Sequence, residues 1–460
     1  MTTVVVSLYI VAFALFIYGL MGLTGPRTAV RGNLIAAAGM ALAVLATLLT
    51  PGVGNWALIV LGVALGTLLG VPAAKQVRMT AMPQMVALFN GVGGGAVALI
   101  AWVEFNSTAG FTGEPGYVMV ASLFGAIVGS VSFWGSLVAF GKLQELIPGR
   151  PISLGQPQQL VNALMLLAAL ACAVVIGIGG DAELLIIGTL VFAAALGLLV
   201  VLPIGGADMP VVISLLNALT GLSAAAAGLA LNNTAMIVAG MIVGASGSIL
   251  TNLMAKAMNR SIPAIVAGGF GGGSIAAGRE VGDKTVRETS AADAAVQMAY
   301  ANQVVVVPGY GMAVAQAQHA VRDMARLLED KGVGVKYAIH PVAGRMPGHM
   351  NVLLAEADVP YEQLKEMDEI NDEFARTDLA LVIGANDVTN PAARSDPGSP
   401  IHGMPILNVD QSRSVIVLKR SMNPGFAGIE NELYYSPGTA MLFGDAKSSV
   451  ESVIEELKTL

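Results

Sequence analysis

The sequence predicts a polytopic α-helical membrane domain followed by a water-soluble α/β domain with a parallel sheet. Of the 460 residues, 55% are apolar and only 12% are charged, about half the charge of a typical soluble domain. The charge is unevenly divided, because residues 1–260 hold 8 Lys/Arg and 6 Asp/Glu whereas residues 261–460 hold 16 and 25. This composition excludes a fully soluble enzyme and a disordered chain. The net charge of −7 gives no basic footprint for nucleic acid.

Nine apolar runs in the first part of the chain are long enough to cross a hydrocarbon core of about 30 Å. The first run has no basic residues before it, so we expect a retained span and not a cleaved signal peptide. The predicted domains are a membrane domain at 1–260, a glycine-rich linker at 261–290 and a soluble domain at 291–460. The nine runs cover roughly 4–24, 34–50, 55–74, 84–103, 118–140, 161–180, 182–203, 210–231 and 235–255.

The basic residues of the membrane domain predict its orientation. All eight fall in connections on one side of the nine runs, and the connections on the other side contain no Lys or Arg. By the positive-inside rule, the amino terminus faces outside and the soluble domain lies in the cytoplasm. The eight residues are Arg27, Arg31, Lys75, Arg78, Lys142, Arg150, Lys256 and Arg260.

Polar side chains inside the spans are few, and none of the four histidines lies in residues 1–260. Asn90 and Asn217 are the clearest buried polar candidates. An amide can hydrogen-bond water or a neighbouring helix but cannot store a proton, so an interhelical bond and a place on a proton path both remain open. Small residues around Ser246 indicate close helix packing. Asp208 fits an N-cap of the eighth span, and its predicted cytoplasmic position also fits coupling to the soluble domain.

Alternating strands and helices in the tail predict a parallel sheet with helices on both faces. The glycine-rich stretch 267–274 precedes this pattern and is typical of a flexible linker. Helices are predicted at about 291–302, 312–330, 360–376 and 447–459, and strands at 304–307, 333–339, 379–384 and 415–418.

The first strand of the tail is followed by a G-x-G-x-x-V turn that begins at Gly309. Gly309 would make the tight turn, Gly311 would allow close approach of a cofactor, and the helix start would offer free N–H groups to a pyrophosphate. The position of this motif after a buried strand predicts a Rossmann-like dinucleotide site. The candidate loop residues are Gly309, Tyr310, Gly311, Met312, Ala313 and Val314.

Charged residues near other strand ends favour NADP over NAD. The second strand leads into Arg345 without the carboxylate that an NAD site uses for the ribose. Lys419 and Arg420 are a candidate cradle for the 2′-phosphate, or an exposed basic pair. Asp387, after Asn386 at the end of the strand 379–384, lies where a cofactor could reach it, or forms an Asx turn. The histidines near Arg345 fit loop polar groups, and neither the histidines nor Cys172 show metal-ligand spacing.

Several of these segments together resemble the β subunit of proton-translocating NAD(P) transhydrogenase. The resemblance implies that the membrane domain conducts protons and that the tail binds NADP(H). A separate α subunit would bind NAD(H), and hydride would pass directly from NADH to NADP⁺. It further implies a dimer of αβ units in the bacterial inner (plasma) membrane. The matching segments are residues 207–212, 256–261, 309–319, 340–352, 384–387, 419–422 and 441–447.

The resemblance also implies roles for single residues. The turn 309–313 would line the pyrophosphate, Arg345 would contact a phosphate, and Lys419 with Arg420 would hold the 2′-phosphate. Asp387 would be the catalytic candidate near the nicotinamide end, beside Asn386. Implied proton-pathway or coupling positions are Asn90, Asp208, Asn217, Ser246 and Arg260.

Two departures from the family pattern concern the proton carrier. Asn90 stands where some members have a histidine, and Gln84 stands where they have an acid. We therefore expect the titrating group on a span of the α subunit. An ion channel or transporter that senses nucleotide without redox chemistry, and a purely structural membrane anchor, are the alternatives to a transhydrogenase.

Overall fold

The computed structural model describes most of the chain, in two compact units. The described residues are 2–149, 151–155, 157–205, 208–259, 261–266, 285–345, 348–399, 401–425 and 427–460, without the side chains of Thr2, Pro26 and Met79. Arg260 and most of the predicted linker lie outside them. The first unit contains the described residues of Met1–Ile204 and Val211–Thr251 together with Val266, and the second contains those of Gly205–Pro210, Asn252–Ile265 and 270–460.

Long apolar helices dominate the first part of the chain. Nine of them occur among the described residues, each long and apolar enough to cross a membrane, which confirms the predicted number. Several extend beyond the apolar run that predicted them, because polar residues continue the last turns. The helices are α1 (Thr2–Gly22), α2 (Pro26–Leu48), α3 (Trp56–Gln76), α4 (Met82–Ser107), α5 (Gly116–Leu143), α6 (Gln158–Gly177), α7 (Glu183–Val201), α8 (Met209–Ala230) and α9 (Thr234–Ala257), followed by the short α10 (Ile262–Val266).

Glycines set the close helix contacts of the membrane unit. A Cβ on Gly94 of α4 would lie 2.8 Å from the carbonyl oxygen of Gly129 on α5, and a Cβ on Gly221 of α8 would lie 2.5 Å from the backbone nitrogen of Gly244 on α9. Backbones this close require residues without side chains, which are the usual contact residues where lipid removes the hydrophobic drive for helix association. The close helix packing predicted for the small residues around Ser246 is confirmed at Gly244.

The second unit contains a six-stranded parallel sheet with the order β3-β2-β1-β4-β5-β6. This is the doubly wound order of dinucleotide-binding folds, whose binding crevice lies where the strand order reverses, between β1 and β4. The central strands are buried on both faces, as helix-covered parallel strands require. The strands are β1 (Gln303–Pro308), β2 (Gly334–Ile339), β3 (Leu364–Glu366), β4 (Leu379–Ile383), β5 (Ser414–Lys419) and β6 (Thr439–Phe443).

Two helices of this unit, α11 and α17, begin at a side-chain N-cap. Ser290 accepts a hydrogen bond from the backbone nitrogen of Asp293, and Asp445 accepts from those of Lys447 and Ser448, each satisfying free N–H groups of a first turn. The helices of this unit are α11 (Ala291–Ala299), α12 (Tyr310–Val314), α13 (Gln318–Asp330), α14 (His349–Glu356), α15 (Met367–Ile370), α16 (Ala392–Ser395) and α17 (Ala446–Thr459).

Two predicted helices of the soluble domain are wrong in detail. The segment 360–376 contains the edge strand β3, which pairs with β2 through Leu364 opposite Tyr337, then α15 and a 3₁₀ helix. Its charged residues fit a helical pattern, but pairing at the sheet edge overrides that preference. The predicted helix 312–330 is broken between α12 and α13, where Gln316 has a left-handed φ of 52°. Neither α14 nor β6 was predicted from the sequence.

Candidate functional site

The loops after β1 and β4 meet at the carboxyl edge of the sheet, where the strand order reverses. The backbone nitrogen of Gly309 donates to Ile383 O at 2.9 Å, and that of Gly311 donates to Gly384 O at 3.0 Å. The structure thus brings the predicted G-x-G turn directly against the turn that precedes Asn386 and Asp387. In open α/β sheets this edge is the ligand-binding position.

Glycine is required in these two turns mainly because they touch each other. A Cβ on Gly311 would lie 2.7 Å from Gly384 Cα, and a Cβ on Gly309 would overlap the backbone of Ala385. Gly384 itself has a φ of +67°, which glycine adopts without strain. Gly309 has extended backbone with a φ of −132°, so its close approach to Ala385, and not its φ angle, requires glycine there. The motif alone does not predict this contact, because it carries no information about which other turn packs against it.

The rest of the β1 loop is partly covered. Met312 and Ala313 are fully buried, whereas Val314 is exposed and Tyr310 is half-buried. Arg345 reaches this loop from the end of β2, with its Cζ 4.4 Å from the centroid of the Tyr310 ring. A guanidinium in this position is held by cation–π attraction. The structure therefore brings together two residues that the sequence placed at separate strand ends.

The two histidines beside Arg345 are buried and hold the β2 loop by backbone hydrogen bonds. His340 Nε2 is 2.8 Å from Pro405 O, and its Nδ1 accepts from the nitrogen of Val342 at 3.2 Å. His349 Nδ1 accepts from the nitrogen of Arg345 at 3.0 Å. Burial lowers the pKa of His340 to about 4, and burial together with the charge of Arg345 lowers the pKa of His349 to about 4. Both are therefore neutral near pH 7 and act as loop polar groups.

Residues after β5 form hydrogen bonds with the Asn386–Asp387 turn. Asp387 Oδ2 accepts from the nitrogen of Ala427 at 3.0 Å. The hydroxyl of Tyr434 donates to Asn386 Oδ1 at 2.9 Å, and Asn431 Nδ2 donates to the Asn386 carbonyl at 3.0 Å. Asn431 is 1% exposed, so it is a buried connector between the two segments. Neither Asn431 nor Tyr434 stood out in the sequence, because their partners lie more than forty residues away.

Lys419 and Arg420, at the end of β5, lie in different environments. Lys419 is half-buried, its Nζ donates to Asn423 O, and it lies 5.7 Å from the centroid of the Tyr434 ring. Burial lowers the pKa of the Lys419 ammonium, and the negative charge of Asp387 partly opposes this shift. Arg420 is exposed. One base is thus fixed beside the Asp387 turn while the other remains open to an approaching anion.

The chemistry of this edge fits the phosphates of a dinucleotide. It combines backbone N–H groups, a guanidinium held over an aromatic ring and two further bases, which are the donors that phosphate oxygens prefer. Among the described residues no group of three or more His, Cys, Asp or Glu side chains is arranged to hold a metal ion.

A line of polar side chains crosses three helices of the membrane unit. Asn90 on α4 donates through Nδ2 to Ser136 Oγ at 2.9 Å and Ser132 Oγ at 3.3 Å on α5. Ser132 Oγ in turn donates to Leu216 O at 3.0 Å and lies 2.5 Å from Thr220 Oγ1 on α8. Asn90 Oδ1 is buried without a hydrogen-bond partner in the described part of the chain. We call Asn90, Ser132, Ser136 and Thr220 the polar line; sequence reasoning identified only its first member.

The other predicted positions of the membrane half lie outside this line. Asn217 is half-buried on α8, and Ser246 is exposed and donates to Val243 O of its own helix. Asp208 is fully buried and directly precedes α8, at the chain position of an N-cap. Gln84, which departs from the family pattern, is buried and donates to Leu143 O at 3.2 Å.

Comparison with known proteins identifies one family along almost the full length. The family model described as NAD(P) transhydrogenase beta subunit matches residues 5–456. The chain is 50% identical over 480 aligned residues to a protein named NAD(P) transhydrogenase subunit beta from Rhodospirillum rubrum, with 98% of each chain covered. The protein of the same name from R. rubrum strain ATCC 11170 matches with the same identity and coverage.

Proposed function

The chain belongs to the NAD(P) transhydrogenase beta subunit family, and from that premise we propose that its second unit binds NADP(H) and its helices move protons. An α subunit that binds NAD(H) would complete the reaction, since the sequence contains a single G-x-G turn of this type. The observation that carries the proposal is the interlocked pair of turns at Gly311 and Gly384. Their contact holds the two turns together at the edge where the strand order reverses, which is where open α/β sheets bind ligands, and this supports the proposal.

Each side of this edge has a role in holding NADP(H). The N–H groups of the turn 309–314 would take the pyrophosphate, with Arg345 as a further phosphate contact. Lys419 and Arg420 would take the 2′-phosphate, which distinguishes NADP from NAD. Asp387 and Asn386 would lie at the nicotinamide end. There the hydrogen bond from Ala427 N to Asp387 Oδ2 would hold the segment that follows β5. When bound, the nicotinamide supplies the ring that exchanges hydride.

The proton gradient would bias the hydride exchange through NADP(H) affinity. One charge that crosses 100 mV releases about 2.3 kcal/mol, which is more than a tenfold bias at about 1.4 kcal/mol per decade. Coupling then requires that NADP(H) bind differently in two protonation states of the membrane unit. Asp208, Asn217, Ser246 and Arg260 remain proposed coupling positions.

The polar line offers a hydrogen-bonded path through the helices but no titrating group. Asn90 is an amide and the other members are hydroxyls, which do not ionise near pH 7. We therefore place the proton carrier on an α-subunit span, which would meet the path at Asn90. A complete α partner that lacks any titratable group inside its spans would remove this part of the proposal.

The assembly and its setting follow from the family and from the charge pattern. We propose a dimer of αβ units in a bacterial inner (plasma) membrane, with the amino terminus outside and the soluble domain in the cytoplasm. The supporting observation is that all eight bases of residues 1–260 lie between the apolar runs, or after the ninth, on one predicted side.

Reconstitution tests the function directly. The full chain and a candidate α subunit would be placed in liposomes, and hydride transfer from NADH to an NADP⁺ analogue would be followed together with the pH inside. We expect transfer and a pH change only when both subunits are present. A pH change that depends on NADP(H) but occurs without hydride transfer would favour the nucleotide-sensing channel or transporter instead.

Asp208 is tested by substitution in the same assay. We expect Asp208→Ala to leave NADPH binding by the chain intact while it reduces proton pumping in the αβ complex, because Asp208 is buried next to the start of α8 and far in sequence from the nucleotide loops. Asp181→Ala, at an exposed acid between α6 and α7, is the matched control. Normal pumping by Asp208→Ala would remove Asp208 from the mechanism.

A further inference from the structure

His349 holds the backbone of Arg345 in a fixed position. It is the first residue of α14, is fully buried, and accepts the Arg345 N–H at Nδ1 over 3.0 Å. Gly344, directly before Arg345, has a φ of +103°. A Cβ on Gly344 would lie 2.5 Å from the same Nδ1, so the imidazole edge rests directly on the glycine backbone.

The role of the His349 imidazole at this position is to supply Nδ1 as a hydrogen-bond acceptor. Its Nε2 is buried and has no hydrogen-bond partner among the described residues. A neutral imidazole with Nδ1 as acceptor carries its hydrogen on Nε2, so this N–H is removed from water without compensation, which disfavours the side chain. An apolar side chain would avoid that cost. The gain that offsets it is the bond to Arg345.

The position of Arg345 matters because its guanidinium reaches the opposite loop. Its Cζ lies 4.4 Å from the centroid of the Tyr310 ring, and Tyr310 lies between the two glycines of the phosphate-binding turn. His349, Arg345 and Tyr310 therefore form a chain of contacts from α14 to the β1 loop. Displacement of the Arg345 backbone would move its guanidinium away from the tyrosine.

We propose that His349 is a positioning residue for nucleotide binding, which acts by holding Arg345 over Tyr310 through its Nδ1 acceptor. The inference deepens the proposed function and rests on it. His349 does not itself touch the nucleotide. Because burial and the charge of Arg345 lower the pKa of His349 to about 4, the acceptor is available throughout the neutral pH range.

Two amide substitutions separate this role from a general structural one. In His349→Asn the amide oxygen replaces Nδ1, whereas in His349→Gln it replaces Nε2 and leaves the Arg345 N–H without its acceptor. NADPH binding by the full chain in detergent is measured by NADPH fluorescence. We expect His349→Gln to weaken binding about tenfold, the effect of one lost hydrogen bond to a buried group, and His349→Asn to stay within about threefold of the original chain.

A double substitution tests whether His349 acts through Arg345. Arg345→Ala should weaken NADPH binding, and the addition of His349→Gln should cause no further loss. Hydrogen exchange at the Arg345 amide should be fast in His349→Gln and slow in His349→Asn. His319→Leu, at an exposed histidine of the same unit, is the control for an unrelated histidine.

Each contrary result overturns the proposal. Equal NADPH affinities for His349→Gln and His349→Asn would show that the Nδ1 position is irrelevant. A full additional loss in the Arg345→Ala background would show that His349 acts independently of Arg345. The unsubstituted chain could instead fail to bind NADPH while Arg345 amide exchange follows the expected pattern. The proposed function would then fail, and with it the nucleotide role of His349. The hydrogen bond from Arg345 N to His349 Nδ1 would still stand.

Discussion

Gly311→Ala should disrupt the proposed phosphate-binding edge by separating the β1 and β4 loops. The new Cβ would lie 2.7 Å from Gly384 Cα and 3.3 Å from Gly384 O, whereas carbon atoms make favourable contact at about 3.5–4.0 Å. Both opposing atoms belong to the backbone, so the two turns must move apart by roughly 1 Å. Overpacking of this kind costs about 1–3 kcal/mol. We expect that loss in stability, together with at least about tenfold weaker NADPH binding, because the displaced turn carries the N–H groups that would meet the pyrophosphate.

Gly334→Ala is the matched control for this prediction. Its Cβ would lie 3.5 Å from Asn302 O, which is an ordinary contact, and Gly334 lies at the opposite end of the strands from the proposed nucleotide edge. The thermal unfolding midpoint and NADPH affinity of the full chain in detergent are compared for the three proteins. Unaltered stability and affinity in Gly311→Ala would refute the reasoning. An equal loss in Gly334→Ala would show only the general effect of replacing a glycine.

In the membrane unit, Gly94→Ala should lower the thermal stability of the chain in detergent, because its Cβ would lie 2.8 Å from Gly129 O. Gly62→Ala on α3, where a Cβ would meet open space, should leave the stability unchanged. Equal effects of the two substitutions would contradict the close α4–α5 contact. Acid should destabilise the soluble domain, since the pKa of His340 and His349 is lowered to about 4. Between about pH 6.5 and pH 4 the unfolded chain binds more protons, so stability falls as the pH falls, by about 1.4 kcal/mol per pH unit for each histidine. Replacement of His340 by Gln and His349 by Asn should flatten this dependence in thermal unfolding, and an unchanged slope would show that other groups cause it.

Sequence patterns predicted those elements whose signal is local. Hydropathy located the nine long helices because a span must be continuously apolar over about twenty residues. The run of valines at 304–307 predicted β1 because a strand covered on both faces is apolar throughout. Residues 364–366 gave no such signal. A three-residue edge strand is defined by its pairing with β2, and the helix-like charge pattern around it says nothing about that partner.

In the candidate site, too, the positions of residues were predictable from local sequence, whereas their contacts were not. Gly309, Gly311, Arg345 and Asp387 lie in loops that follow strands, and Lys419 is the last residue of β5. In a parallel sheet those strand ends share one edge, so the grouping of these residues was predictable. Their pairwise contacts were not. Arg345 lies over Tyr310, and Asp387 is tied to Ala427 N, through bonds between segments that are distant in sequence.

The sequence by itself determined the class of the protein: a charge-poor membrane half with all its bases on one side, and an acidic α/β tail with a G-x-G turn. These features depend only on transfer of side chains from water and on local backbone geometry. Tertiary structure alone decided why Gly311 must be glycine, which hydroxyls join Asn90 in the polar line and what the buried His349 holds. Those properties arise from atoms brought within 4 Å by packing, and no local pattern records which atoms those will be.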